Sequence, residues 1–324
     1  MKKTYLTTIF LLISILCFSQ TKPYKDYYDN GQLKTEGNYI DGKENGIWKF
    51  YYENGKLSSE GNIINGKENG IFKFYHDNGK LQMEEMWVDG KKNGISKYYH
   101  NDQLTLERNF VNGKLNGISK IYYDNGQLKT EGNYIDGEVN GIWKYYHDNG
   151  KLEKEGNWSN DKQNGIWKKY YDNGQLLSEG EYLIGKESGI WKVYYEDGQL
   201  KMEGNIIDGK QNGISKIYHE NGRLLNEGKW SDGKPNGNWK EYNDNGKLQV
   251  EGNYIDGKPN GIWKYYHDNG KLQMGGNYID GKENGNWKEY HENGKKRKKR
   301  YYKMGSITKE KCWNEDGKKI KCEE

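Results

Sequence analysis

GIWKFYYENGKLSSEGNIINGKEN, residues 46–69, is the stretch that most of this 324-residue chain repeats. Equivalent opening glycines lie 24 residues apart, except for one 23-residue step where Asp-Asn-Gly is shortened to Asn101-Asp102. A fixed period of this length identifies a repeat protein. The opening glycines are Gly46, Gly70, Gly94, Gly117, Gly141, Gly165, Gly189, Gly213, Gly237, Gly261 and Gly285.

Two aromatic columns stand out when the repeats are aligned on these glycines. Five residues after the glycine the tyrosine column contains Tyr51, Tyr75, Tyr99, Tyr122, Tyr146, Tyr170, Tyr194, Tyr218, Tyr242, Tyr266 and Tyr290. Two residues after the glycine the tryptophan column contains Trp48, Trp143, Trp167, Trp191, Trp239, Trp263 and Trp287, with Phe72, Ser96, Ser119 and Ser215 in the other repeats. Leucine, glycine and aromatic columns, exemplified by Leu57, Gly61 and Tyr39, complete the pattern.

Each repeat is predicted to be a β-hairpin. Asn54-Gly55 and its copies supply the two positive φ angles of a two-residue type I′ turn. In that register Trp48 lies opposite Gly61, and Gly46 lies opposite Ile63, so that large rings cover bare glycine backbone. A three-residue loop would shift the register by one residue and exchange the faces of the sheet.

The segment between hairpins, Asp41 to Gly46 and its copies, is rich in turn residues and is predicted to be a loop. Pro235 and Pro259 stand at one column of this segment, and proline cannot donate to a β-ladder. Two strands per repeat then predict an all-β, elongated single-sheet array of about eleven to twelve hairpins.

Composition agrees with this fold class. The chain has 44 glycines and no alanine, and its apolar residues do not follow a helical period. A charged fraction of 30% would favour disorder, but aromatic residues make up 14% of the chain and recur on a strict period. We therefore expect an ordered sheet.

The N-terminus has the pattern of a secretory signal peptide. Lys2 and Lys3 precede an apolar run from Leu6 to Phe18, and Ser19 precedes the expected cleavage site. About 13 apolar residues are too few to cross a roughly 30 Å hydrocarbon layer. A lipid-anchored alternative would use Cys17. Export would place the protein in the periplasm, on the outer-membrane surface or outside the cell.

These signals divide the chain into a signal peptide at residues 1–19, a leader at 20–24, a hairpin array at 25–300 and a C-terminal cap hairpin at 301–324. Cys312 and Cys322 flank turn residues and are predicted to form a disulfide in an oxidising compartment.

A run of six cations, Lys295 to Arg300, ends the array. It resembles a patch for nucleic acid or an anionic surface. The interpretation favoured here is a charged last strand that blocks further edge pairing, since Lys296 and Arg300 occupy the leucine and glycine columns.

No pattern typical of an active site, a metal site or a cofactor site is present. All six histidines stand in the column after the tyrosine, where they interchange with tyrosine, and this favours a structural role. A metal-binding histidine stripe, for example His76 with His100, is the alternative. Glutamates such as Glu60 form another column, and cross-strand pairing with the lysine column of Lys49 is favoured over catalysis.

The motif YYxNGxLxxEGxYxDGKxNGxW resembles the MORN repeat, in the variant form found in bacterial proteins such as the YwqK-family antitoxins. The resemblance implies a β-hairpin array that binds or scaffolds other molecules without catalysis. It also implies that some eukaryotic relatives associate with membranes.

We therefore expect an exported, non-enzymatic scaffold. The tyrosine column would bind a protein, a glycan or an envelope surface, and the tryptophan column would be structural. Association with a membrane surface is left open, nucleic acid is not expected, and no obligate oligomer is implied. The alternative is an antitoxin that neutralises a partner toxin by direct binding.

Overall fold

The structure, a computed structural model, describes residues 20–322. Within this range the chain forms strands and turns and no helix, and every strand pair is antiparallel. The predicted all-β array of hairpin repeats is therefore confirmed. The predicted signal peptide, residues 1–19, lies outside the described residues.

The chain divides into two units, the first ending at Asn116 and the second beginning at Gly117. The strands of the first unit are β1 Thr21–Tyr27, β2 Leu33–Ile40, β3 Lys43–Tyr51, β4 Leu57–Ile64, β5 Lys67–Glu68, β6 Gly70–Tyr75, β7 Leu81–Val88, β8 Lys91–Lys92, β9 Gly94–His100 and β10 Gln103–Val111.

The second unit continues from β11, which starts just before the division. Its strands are β11 Lys114–Tyr122, β12 Leu128–Ile135, β13 Glu138–Tyr146, β14 Leu152–Ser159, β15 Lys162–Tyr170, β16 Leu176–Leu183, β17 Lys186–Tyr194, β18 Leu200–Ile207, β19 Lys210–Tyr218, β20 Leu224–Ser231, β21 Lys234–Tyr242, β22 Leu248–Ile255, β23 Lys258–Pro259, β24 Gly261–Tyr266, β25 Leu272–Ile279, β26 Lys282–Tyr290, β27 Lys296–Lys303, β28 Ser306–Trp313 and β29 Lys319–Ile320.

The hairpin turn differs from the prediction, although the register of the strands is as predicted. Gly55 has a φ of 80°, whereas Asn54 is not among the residues with positive φ, so the type I′ prediction is wrong. The amide of Gly55 donates to the Tyr52 carbonyl at 2.9 Å, and the amide of Tyr52 donates to the Lys56 carbonyl at 2.8 Å. This is a three-residue loop that ends in a glycine bulge.

The Asn54 side chain forms two hydrogen bonds, one within the loop and one to the next repeat. Its Oδ1 accepts a hydrogen bond from the Lys56 amide at 3.0 Å, while its Nδ2 donates to the Asp77 carbonyl of the next repeat at 3.2 Å. The loop places Leu57 opposite Tyr51, and one additional residue, Ser58, restores the register, so that Trp48 lies opposite Gly61 as predicted.

The segment between hairpins is not the predicted loop. Asp41 and Gly42 both have positive φ, 52° and 78°, and form the two-residue turn, after which β3 begins at Lys43. Pro235 and Pro259 accordingly lie in strands, opposite Trp230 and Tyr254. Each proline uses its carbonyl, which accepts a hydrogen bond from the amide of a turn glycine 22 residues later, at 2.8 Å and 2.9 Å.

Buried indole rings take the place of a conventional core. In the second unit Trp143, Trp167, Trp191, Trp263 and Trp287 are buried, and Trp239 is half-buried. Each of these rings covers the glycine eleven residues earlier, in the preceding repeat. A Cβ atom on Gly156, for example, would lie 2.1 Å from the Trp167 ring. The same contact joins Trp48 to Gly37 in the first unit, whereas Gly61, the glycine that Trp48 was predicted to cover, is covered by Phe72. The rings therefore link neighbouring hairpins.

The C-terminal end carries the predicted cysteine pair. The Cys312 and Cys322 sulfurs lie 2.07 Å apart, with their Cα atoms separated by 5.3 Å, as in a disulfide. The charged strand β27 is not an edge, because it pairs with β26 on one side and β28 on the other. Edge protection therefore does not account for its cations.

Candidate functional site

The sheet presents two chemically different faces because side chains alternate along each strand. The tryptophan face carries Trp48 and Phe50 with their equivalents. The opposite face, named here the isoleucine face, carries Ile47, Lys49 and Tyr51 with their equivalents. It also carries the glutamates, since Lys49 lies opposite Glu60.

The eleven tyrosines predicted to bind a partner lie on the isoleucine face, and all are half-buried. Most of their hydroxyls donate to a glutamate fifteen residues earlier, in the preceding hairpin. The pairs, with the distances between the phenol and carboxylate oxygens, are Tyr51–Glu36 (2.7 Å), Tyr75–Glu60 (3.2 Å), Tyr99–Glu84 (3.3 Å), Tyr146–Glu131 (2.7 Å), Tyr170–Glu155 (3.0 Å), Tyr194–Glu179 (3.0 Å), Tyr218–Glu203 (3.0 Å), Tyr242–Glu227 (3.5 Å) and Tyr266–Glu251 (2.8 Å).

These contacts keep the phenols protonated. Burial, followed by the hydrogen bond to Glu155, raises the pKa of Tyr170 to about 12. The same causes raise the pKa of Tyr51, Tyr146, Tyr194 and Tyr218 to about 12. The tyrosine column therefore contributes to cohesion between hairpins, and its role in partner binding stays a prediction.

A row of alternating charges runs beside the tyrosines. The expected cross-strand pairing is confirmed in several repeats, where the lysine Nζ lies within 4.0 Å of a carboxylate oxygen. These pairs are Lys25–Glu36, Lys73–Glu84, Lys97–Glu107, Lys216–Glu203, Lys240–Glu227 and Lys264–Glu251. Each is partly exposed, so its contribution to stability is small.

The most exposed apolar side chains on this face are isoleucines, which are not among the predicted binding residues. Those that follow the opening glycine are between 55% and 68% exposed: Ile47, Ile71, Ile95, Ile118, Ile142, Ile166, Ile190, Ile214 and Ile262. Asn238 and Asn286 replace them in two repeats. A second exposed apolar row includes Ile64, Ile135, Ile207 and Ile255. The recurrence of isoleucine directly after the opening glycine was the signal that could have identified the first row.

The histidine column is explained by backbone contacts. Tyr52 donates its hydroxyl to the Tyr75 carbonyl at 2.6 Å, and Tyr171 does the same to Tyr194 at 2.8 Å. At the equivalent position the Nε2 of His219 lies 3.1 Å from the Tyr242 carbonyl. The two ring types interchange because either can place a polar atom at the carbonyl of the next repeat.

A polar cluster that was not predicted from the sequence interrupts the ring packing of the first unit. Glu85 replaces the covered glycine and Ser96 replaces the covering ring, and both side chains are buried. The Glu85 carboxylate forms an ion pair with Lys92 and accepts a hydrogen bond from the Tyr98 hydroxyl at 3.3 Å. Arg108 lies directly opposite Ser96.

The family of the chain is shown by a family model. The model describes the MORN repeat variant and matches residues 20–41, 44–65, 68–89, 115–136, 139–160, 163–183, 187–208, 211–232, 235–256, 259–280 and 283–304. The chain belongs to the MORN repeat variant family. Residues 90–114, which contain Ser96, Arg108 and the shortened Asn101-Asp102 turn, are unmatched.

Other comparisons reach less far. Among curated proteins no relative matches the chain. A crystal structure of TarM is 12% identical, with a TM-score of 0.22, over 29% of this chain and 20% of that one. A crystal structure of TcdB2-TccC3 is 15% identical, with a TM-score of 0.19, over 89% of this chain and 20% of that one. The chain thus spans about a fifth of the length of these structures. The repeat-scaffold fold points to a non-enzymatic role.

The described residues, 20–322, contain no helix with the length and hydropathy needed to cross a membrane.

Proposed function

We propose that this MORN repeat protein is an exported, non-enzymatic scaffold that binds a partner protein with its isoleucine face. The observation that carries the proposal is the row of exposed isoleucines beside a row of alternating lysines and glutamates. Contiguous exposed apolar surface bordered by polar residues typically marks an interaction site.

The chemistry of this face favours a protein over a neutral glycan. Glycans stack on exposed aromatic rings, whereas the tyrosines of this face are half-buried and most donate their hydroxyls to glutamates. Strongly exposed rings in the described chain are Tyr24, Tyr27 and Tyr301, near its two ends. Aliphatic rows next to charges of both signs suit a partner surface with apolar side chains and complementary charges.

Repetition within each unit supports binding through many weak contacts. Equivalent isoleucines on neighbouring hairpins are roughly 9.6 Å apart, two strand separations. A partner that contacts several of them at once gains affinity because the later contacts form within a single complex. The tyrosine column would provide the half-buried floor next to these contacts.

The test uses the natural variation of the chain. Asn238 stands at the isoleucine position of its own repeat, so asparagine is compatible with the fold there. We expect Ile142→Asn, Ile166→Asn and Ile190→Asn together to leave the thermal unfolding midpoint within a few degrees and to reduce capture of envelope proteins by the immobilised chain at least tenfold.

The matched control is Asn238→Ile, which lengthens the apolar row and should strengthen capture of the same proteins. If the triple variant remains folded and captures the same proteins in the same amounts, the isoleucine face is not the binding surface.

Export is tested separately, because it rests on residues 1–19 alone. N-terminal sequencing of the protein recovered from the cell envelope should begin near Gln20. Recovery of the uncleaved chain from the cytosol would contradict export and would favour the alternative function, neutralisation of a cytoplasmic toxin.

A further inference from the structure

The alternating charge row changes character at the C-terminal end of the second unit. From Glu36 to Glu251 the glutamate column supplies one glutamate in each repeat. On neighbouring strands these glutamates alternate with lysines, as in Lys240, Glu251 and Lys264. The next two positions of this column are Gly275 and Lys299. Beyond Glu251 the row therefore contains lysines without the alternating carboxylates.

The register places three of these lysines directly side by side. Lys288 of β26 lies opposite Lys299 of β27, and Lys299 lies opposite Lys311 of β28. Like charges directly opposite each other destabilise a sheet. No carboxylate in the described part of the chain forms an ion pair with any of the three.

The other face of the same strands is neutralised. Lys298 Nζ lies 3.9 Å from Glu310, and Arg300 forms ion pairs with both Glu289 and Glu310. The cation run therefore has two roles: its tryptophan-face members are paired within the fold, whereas Lys299 on the isoleucine face has lysines on both sides. The isoleucine face of these strands therefore carries a local excess of positive charge.

The groups around the lysines indicate which ligand would suit this surface. A depression is lined by Asn286, Lys299, Tyr301, Thr308, Lys309, Glu310 and Lys311, and its one carboxylate, Glu310, is paired with Lys298 and Arg300. The Tyr301 ring is 45% exposed, unlike the tyrosine column. Lys309 lies opposite Tyr301 on the adjacent strand. Ammonium groups bind acid groups, an exposed ring stacks on the apolar face of a sugar, and a primary amide hydrogen-bonds to hydroxyls.

We propose that this C-terminal lysine patch, formed by Lys288, Lys299, Lys309 and Lys311 with Asn286 and Tyr301, binds an acidic polysaccharide. The opposed lysines lie on adjacent strands, roughly 4.8 Å apart, which suits a polymer with closely spaced carboxylate or sulfate groups. The patch uses none of the isoleucines of the proposed protein-binding face, so either proposal can fail without the other.

The experiment measures binding of the full mature chain to polygalacturonate and to dextran sulfate, with neutral dextran and oligo-dT as comparison probes. The decisive variant is Lys299→Glu, which restores the lysine–glutamate–lysine alternation found in other repeats. We expect it to unfold at the same or a higher temperature than the wild type and to bind the acidic polysaccharides at least tenfold more weakly. Added salt should weaken wild-type binding, because it screens the lysines.

The charge-matched control is the double variant Lys282→Gln and Lys296→Gln, which also lowers the net charge by two but lies outside the patch. It should retain wild-type affinity. Binding of only one of the two acidic polymers would identify the acid group and would support the proposal. Undetectable binding to both, unchanged binding by Lys299→Glu, an equal loss in the control or equally tight binding of oligo-dT would overturn it.

Discussion

Two stretches of the molecule fill the same positions in opposite ways. In the regular stretch of the second unit, Trp167 covers Gly156 and is buried. In the interrupted stretch of the first unit, Glu85 stands at the glycine position, and Ser96 stands where the ring would be. The glycine and the ring are thus replaced together, because a side chain at the first position occupies the space of the second.

The interrupted stretch uses polar chemistry where the regular stretch uses ring contact. The centroid of the Trp167 ring lies 5.6 Å from that of Trp158 and 6.0 Å from that of Tyr182, and both contacts are edge-on. The Nε1 of Trp167 donates a hydrogen bond to the Asn157 carbonyl at 3.1 Å. Glu85 instead relies on Lys92 and Tyr98. A buried carboxylate is tolerated only when it is paired. The regular stretch therefore depends on contacts between neighbouring rings. The interrupted stretch is stable only when Lys92 and Tyr98 are present to pair with the Glu85 carboxylate.

The largest effect is expected in the regular stretch. Trp167→Ala should lower the free energy of unfolding by about 3–5 kcal/mol, since it removes a buried ring and leaves a cavity over Gly156. Urea denaturation followed by circular dichroism measures this change. The matched control is Trp239→Ala, which should cost less because that ring is half-buried. Equal losses at the two sites would contradict the dependence on burial.

Replacing the polar pair, Glu85 and Ser96, by glycine and tryptophan should reveal a coupling energy that is smaller than the loss expected for Trp167→Ala. Ser96→Trp alone should destabilise the protein because the ring meets Glu85, and Glu85→Gly alone should destabilise it because Lys92 loses its partner. The double variant rebuilds the regular motif and should be more stable than the sum of the single changes, by about 1–3 kcal/mol. A double-mutant cycle in urea measures this coupling. Strict additivity would show that the two positions are independent.

The hairpins, the register of Trp48 with Gly61 and the cysteine pair were predictable because each depends on local spacing. The turn type was not, because Asn-Gly is compatible with more than one loop. The three-residue loop is accompanied by a local hydrogen bond, in which the Lys56 amide donates to Asn54 Oδ1. The same bond recurs at Asn78 and Asp197, and the Asn-Gly pattern alone does not reveal it.

The candidate site was predicted only in part. The alternation of side chains along β3 places Ile47, Lys49 and Tyr51 on one face, but the sequence gives no measure of their exposure. The regular recurrence of tyrosine led to the prediction that the tyrosine column binds a partner. In the structure the isoleucine side chains are more exposed than these tyrosines. Glu85 was missed although it stands four residues after Leu81, in the glycine column, and this spacing was visible in the sequence. What the sequence did not show is that its carboxylate is buried and paired with Lys92.

The smallest predicted effect tests whether the tyrosine column stabilises the hairpins in the same way in every repeat. Tyr170 donates to Glu155 at 3.0 Å, whereas the position fifteen residues before Tyr290 is Gly275. Tyr170→Phe should therefore lower the free energy of unfolding by about 0.5–1.5 kcal/mol, the usual contribution of one hydrogen bond. Tyr290→Phe, the matched control, should change it by a few tenths at most. Equal effects would show that the glutamate bond contributes nothing.

The pH dependence of this difference tests whether burial and the hydrogen bond to Glu155 together favour the protonated phenol in the folded state. The pKa of Tyr170 is raised to about 12 in the folded protein, compared with an ordinary value of 10.0. The folded state therefore retains the proton more strongly, and its advantage is complete below pH 10 and is lost as the pH rises towards 12. Denaturation in urea at pH 8 and at pH 11 should show the gap between wild type and Tyr170→Phe shrinking. A gap that stays constant across this range would mean that the folded state does not hold the Tyr170 proton more strongly than the unfolded state.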